Sequence, residues 1–218
     1  MRDLISSPHV KAAIYFTDRG DFVFKWKDDK GASKTKSLRA PVVSAAFTRE
    51  SSDSGWIGAG IQRTGFNAMG EWFVYFAAAR TVTISLGKGK AVETPIPSTL
   101  LIGMAGKYLL FAMGEVEFDP GGKVYHAPFP NVHPDGRICW GNNAAPKFSS
   151  DKAGDAWTFF FYAPFNGDLT REKSKKHPED VREQLKTLAG KSVYPVKDMR
   201  VYRNSLDDLM NELLKRRG

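Results

Sequence analysis

The 218-residue sequence has one cysteine, Cys139, and no long apolar run. A single cysteine excludes an intramolecular disulfide and a four-cysteine metal site. Without an apolar stretch of about 18 residues or more, no transmembrane helix is expected. The opening residues Met1 to Ile5 lack the basic, apolar and small-residue zones of a signal peptide, so the expected compartment is the cytoplasm. Internal repeats and low-complexity linkers are missing too. The expectation is one domain over 1–218, with an elaborated N-terminal β region over about residues 1–50. Acid is in short supply: 24 Asp and Glu stand against 32 Lys and Arg, a formal net charge of +8. Such a surface suits nucleic acid, a membrane surface or an acidic protein. The bases are spread along the chain, with runs at Arg171 to Lys176 and Lys215 to Arg217, and the plain reading is a solvated surface.

What is present reads as strands first and helices last. Val10 to Thr17 and the alternating Phe22 to Lys27 flank the turn residues Asp18 to Asp21, and Asp28 to Gly31 supply the next turn. Glu71 to Ala77 and Thr81 to Leu86 are rich in aromatic and β-branched residues. Thr99 to Met104 and Lys107 to Met113 form a hairpin around Ala105-Gly106. Together these predict an antiparallel β-meander. From Val116 to Phe148, five prolines interrupt the chain, which predicts a long loop with no regular ladder. Its aromatic content argues for an ordered loop. Trp157 to Tyr162 is a short apolar block, expected to be buried. A helix is expected from Pro178, with Val181, Leu185 and Leu188 on one face and Gly190 as its stop. A second follows Asn204-Ser205, with Leu206, Leu209, Met210, Leu213 and Leu214 in one stripe. The order is α+β.

A lone cysteine is either inert filling or a working thiol. Its neighbourhood favours work. Residues 129–139 read Phe-Pro-Asn-Val-His-Pro-Asp-Gly-Arg-Ile-Cys. The spacing of Pro130, Asn131, Gly136 and Cys139 resembles the active-site loop of ubiquitin-conjugating enzymes: His-Pro-Asn, four residues, Gly, two residues, Cys. The string from Ala127 to Asn142 also resembles the bacterial ubiquitin-conjugating-enzyme-like family, prokaryotic family D, of the PRTRC system protein B type. Phe129 stands where the ordinary enzymes carry histidine.

This resemblance implies an α+β fold of the ubiquitin-conjugating-enzyme type, with the long loop as the active-site loop. It implies that Cys139 receives the C-terminal glycine of a ubiquitin-like modifier as a thioester. A thiolate suits this task because it attacks a thioester readily and leaves readily. Asn131 is then catalytic or loop-bracing, since its amide can donate to a developing oxyanion. Gly136 lets the chain turn, and Arg137 can favour the thiolate if it shares the cysteine's face. Implied partners are the modifier, a ThiF-type activating enzyme and a JAB-type deconjugating peptidase. No cofactor or metal is required. Phage defence and plasmid maintenance are settings the likeness suggests. An acidic residue assisting the acceptor amine has three candidates, Asp151, Asp155 and Asp168.

Other readings stay open beside this one. A non-catalytic adaptor on the same scaffold is the alternative, favoured by Phe129. A basic nucleic-acid-binding protein is a weaker one, because the aromatic strands lack basic alternation. His126, His133 and Cys139 form a conceivable metal set at spacing poor for zinc, and His133 a conceivable proton shuttle. Gly87 to Lys90 lacks the frame of a phosphate loop and reads as a hairpin turn. The final Arg-Arg-Gly follows an amphipathic helix and reads as its end.

Overall fold

The computed structural model describes residues 10–39, 42–43, 52–57, 60–87 and 91–215. Met1 to Ile5, the turn residues Lys88 to Lys90 and the terminal Arg216 to Gly218 lie outside the described residues. The chain divides into two compact units, Met1–Glu50 and Ser51–Gly218.

In the first unit, β1 (Ala12–Phe16), β2 (Phe22–Lys27) and β3 (Ser33–Leu38) form an antiparallel sheet in that order. Alternation in β2 puts Phe22, Phe24 and Trp26 on one face, where Phe24 and Trp26 stack at 5.1 Å. The Asp28 carboxylate accepts from the Lys30 and Ala32 amides and closes the expected turn. The sequence Ser-Lys-Thr-Lys-Ser-Leu of β3 has no apolar period and was invisible to pattern.

The second unit is built on a seven-stranded sheet. Its strands are β4 (Ser52–Asp53), β5 (Ile61–Asn67), β6 (Gly70–Ala77), β9 (Ser98–Met104), β10 (Lys107–Met113), β11 (Val124–His126) and β12 (Val201–Arg203). They lie in the order β12-β11-β10-β9-β6-β5-β4, and every pairing is antiparallel. A simple meander is not what forms. β7 (Arg80–Ser85) and β8 (Ala91–Ile96) pair only with each other, and β9 returns to lie beside β6.

The central strands are apolar on both faces because both are covered. On one side Leu100, Ile102, Leu109 and Phe111 pack against Leu206, Leu209 and Met210 of α3 (Leu206–Lys215). The other side brings Phe73, Leu101 and Leu110 against Trp157, Phe160 and Phe161 of α1 (Ala153–Tyr162), and against Leu185 of α2 (Val181–Thr187). Each such buried aliphatic or aromatic side chain stabilises by about 1.5–3 kcal/mol. Two side-chain bonds fix the layers: Trp157 Nε1 donates to Thr99 Oγ1 at 2.8 Å, and Thr94 Oγ1 donates to the Leu185 carbonyl at 3.1 Å.

Three expectations need correction. The block Trp157 to Tyr162 is the second half of a helix, so only one side of it is buried; Phe159 is 38% and Tyr162 77% exposed. The proline-rich stretch does hold a ladder, because Val124–His126 falls between Pro120 and Pro128 and keeps its donors. The helix expected from Pro178 starts at Val181. Asp180 is its cap, accepting from the Arg182 amide through its side chain, so Pro178 and Glu179 precede it. The last helix starts as its sequence indicates, with Ser205 Oγ accepting from the Asp208 amide.

Candidate active site

The loop that carries the cysteine hangs from one strand. β11 pairs with β10 over Phe111 to Met113. The chain then leaves the sheet at Ala127 and comes back to the same edge of β10. There the Leu110 amide donates to the Gly136 carbonyl and the Ile138 amide to the Tyr108 carbonyl. Inside the loop the Cys139 amide donates to the Asn131 carbonyl at 2.7 Å, and the His133 amide to the Arg137 carbonyl at 2.8 Å. What sequence showed as thirty residues of loop is, around the thiol, a small hairpin sewn to the sheet.

Each motif residue has a physical reason. Phe129 is fully buried, with ring centroids 5.0 Å from Phe161 and 6.2 Å from Phe160. It anchors the loop in the aromatic core. Pro128 and Pro130 on either side are buried too. Asn131 adopts a left-handed backbone, φ 60°, which asparagine tolerates better than most residues. Its side-chain Nδ2 donates to the Pro164 carbonyl at 3.2 Å, just beyond α1. Gly136 has φ 89°, and a Cβ there would lie 2.3 Å from the Phe111 ring. Only glycine fits on both counts.

Cys139 is half-buried and lines a cleft of about 330 Å³ with Asn131, Trp140, Phe160, Pro164 and Asp168. Asparagines 142, 143 and 166 add amide groups to its walls. Of the three acids considered from sequence, only Asp168 lines this cleft. Asn166 Nδ2 donates to its carboxylate at 2.8 Å, and its own carbonyl accepts from the Asn131 amide at 3.4 Å. Asp155 pairs instead with Lys152, and Asp151 accepts from the Ser149 hydroxyl.

Other candidates go elsewhere. His133 and Arg137 line a separate groove with Lys107 and Tyr108, and Arg137 is paired with Asp135 at 2.7 Å. His126 lies edge-on to Tyr202 at 4.9 Å. Burial, reinforced by the charges of Lys173, Arg200 and Arg203, holds its imidazole below the usual value. Among the described residues, no group of three or more His, Cys, Asp or Glu side chains is placed to hold a metal ion.

Sequence reasoning missed Lys173. Within the basic run Arg171 to Lys176 it looks like surface charge, yet it is 6% exposed. Its Nζ donates to the Phe129 carbonyl at 2.7 Å and to the Val132 carbonyl. Desolvation pushes the amine down to about 7. Nothing in such a basic run marks which member turns inward. The bond partners are backbone carbonyls, which leave no trace in side-chain pattern.

A mixed α/β chain of mostly antiparallel strands, with its one thiol on a proline-rich loop, is compatible with a ubiquitin-conjugating-enzyme-like, or E2-like, family. The chain belongs to prokaryotic E2 family D, whose family model matches residues 36–201. Neither the curated proteins nor the solved structures gave a match. No helix among the described residues is long and apolar enough to cross a membrane.

Proposed function

We propose that the protein accepts a ubiquitin-like modifier as a thioester on Cys139 and passes it to an amine or thiol acceptor. The observation that carries this reading is the placement of a half-buried thiol in an open cleft with Asn131 and Asp168. An inert cysteine would be expected inside the core. In the loading step the Cys139 thiolate attacks the carbonyl carbon of the modifier's C-terminal glycine, held as a thioester on a ThiF-type activating enzyme. A new C–S bond forms, the old one breaks, and the activating enzyme's thiolate leaves. Transfer repeats the exchange with the acceptor as nucleophile and Cys139 Sγ as leaving group. Asp168 is the base on the cleft wall that takes the acceptor amine's proton. Asn131 has two N–H groups; one braces the loop against Pro164 and the other is free for the oxyanion. The cleft's asparagine amides suit the extended backbone of a slender glycine tail. A JAB-type peptidase is the natural partner for reversal.

Mixing the protein with an activating enzyme, its modifier and ATP tests this on non-reducing and reducing gels. The expected result is an adduct that thiol reductant removes and that Cys139→Ser lacks or holds as a reductant-resistant ester. With a modifier already charged on its activating enzyme, absence of any adduct would sink the proposal and leave the non-covalent adaptor. Phe129, the feature that favoured that alternative in the sequence, is a buried residue of the aromatic core.

A further inference from the structure

The loop that presents Cys139 turns through Asn131, and its backbone there is left-handed. The carbonyls of Phe129 and Val132 bracket this turn. Both are buried residues, so each carbonyl needs a donor other than water. Neither receives it from the hairpin: the hairpin bonds run from Cys139 to Asn131, from His133 to Arg137 and from Gly136 to His133. The donor is one amine, Lys173 Nζ, reaching from the segment between α1 and α2. No carboxylate pairs with that amine among the described residues. A buried lysine without an acid partner is expensive to keep and easily replaced by an apolar residue. Its position here is explained by the two carbonyls it holds.

We propose that Lys173 is the positioning residue of the Cys139 site: its amine clips the backbone on both sides of Asn131 and so sets where the thiol and the Asn131 amide stand in the cleft. An ammonium offers three N–H groups and a neutral amine two. Two are enough for two carbonyls, so the clip holds in either protonation state. Its neighbours support this assignment. The same segment supplies Asp168 to the cleft wall, and Thr170 and Leu169 line a second cleft with Val132, Asp168 and Lys173. The amine is therefore the tie between the segment that brings the acid and the loop that brings the thiol. It touches neither Cys139 nor any acceptor and is not a catalytic residue.

The inference concerns the same loop as the proposed conjugating chemistry, but amide exchange reads that loop with no modifier present, so the two can fail separately. In Lys173→Met, which keeps the length and removes the donor, the amides of Cys139 and His133 should exchange about tenfold faster or more. The amides of Leu101 and Ile102 in the central sheet should keep their wild-type rates. In Lys173→Ala, added n-propylamine should restore protection at Cys139, and n-pentane vapour, which fills space without donating, should not. Unchanged loop exchange would overturn the proposal. So would faster exchange of loop and sheet together, which is the signature of a residue that only adds stability. If the variants do not fold, the native protein answers through ¹⁵N-lysine labelling. One side-chain amine with slowed proton exchange is expected, and finding all lysine amines in free exchange with water would reject the clip.

Discussion

At Asn131 backbone and side chain have separate duties. The residue must accept φ 60° and must keep its amide against Pro164 and toward the cleft. Glycine satisfies the first demand alone. Asn131→Gly should therefore keep the backbone turn but lose the brace to Pro164, and discharge its thioester to lysine about 10²-fold more slowly in single-turnover assays. Asn131→Ala, strained at the same φ, should lose stability as well. Lys173 carries a pH signature. Its folded-state amine titrates near 7, whereas an unfolded lysine holds its proton to 10.5. Between those values the unfolded chain binds more protons, so stability rises with pH across that window. The burial penalty of the ammonium is fully present below it. The span is on the order of a few kcal/mol, and Lys173→Met should flatten this part of a stability–pH curve from urea titrations. The motif singles out Cys139, Asn131 and Gly136 in the sequence because spacing along a loop is visible without a structure. The burial of Lys173 and the position of Asp168 on the cleft wall were not legible, since both depend on where a distant segment folds back.

At the scale of elements, the hairpin around Cys139 depends on a glycine that faces an aromatic ring. Gly136→Ala would add a Cβ 2.3 Å from Phe111 at a φ of 89°. The expected loss is about 2–3 kcal/mol in urea unfolding, with faster alkylation of Cys139 by iodoacetamide as the loop lifts from β10. Strands were readable where alternation or two-sided burial left a pattern, as in β2, β6, β9 and β10. β3 was not, being polar up to Leu38, and β11 was hidden between prolines. For α1, the nearly unbroken apolar block Trp157 to Tyr162 carries no period, and a helix and a buried strand look alike over such a length.

For the whole molecule, the two hydrophobic cores found among the described residues are composed of residues of the second unit. A chain starting at Ser51 should therefore unfold cooperatively, with Tm lowered by less than about 4 °C, and still form the Cys139 thioester. Loss of cooperative unfolding would show instead that the first 50 residues belong to the same folding unit. The feature with the widest consequence is that both feet of the reactive loop stand on one edge of β10, at Phe111 to Met113 and at Tyr108 to Leu110. On heating, the loop and the central sheet should come apart together in one transition, so that the rate at which the lone sulfur takes up a label serves as a thermometer for the sheet it stands on.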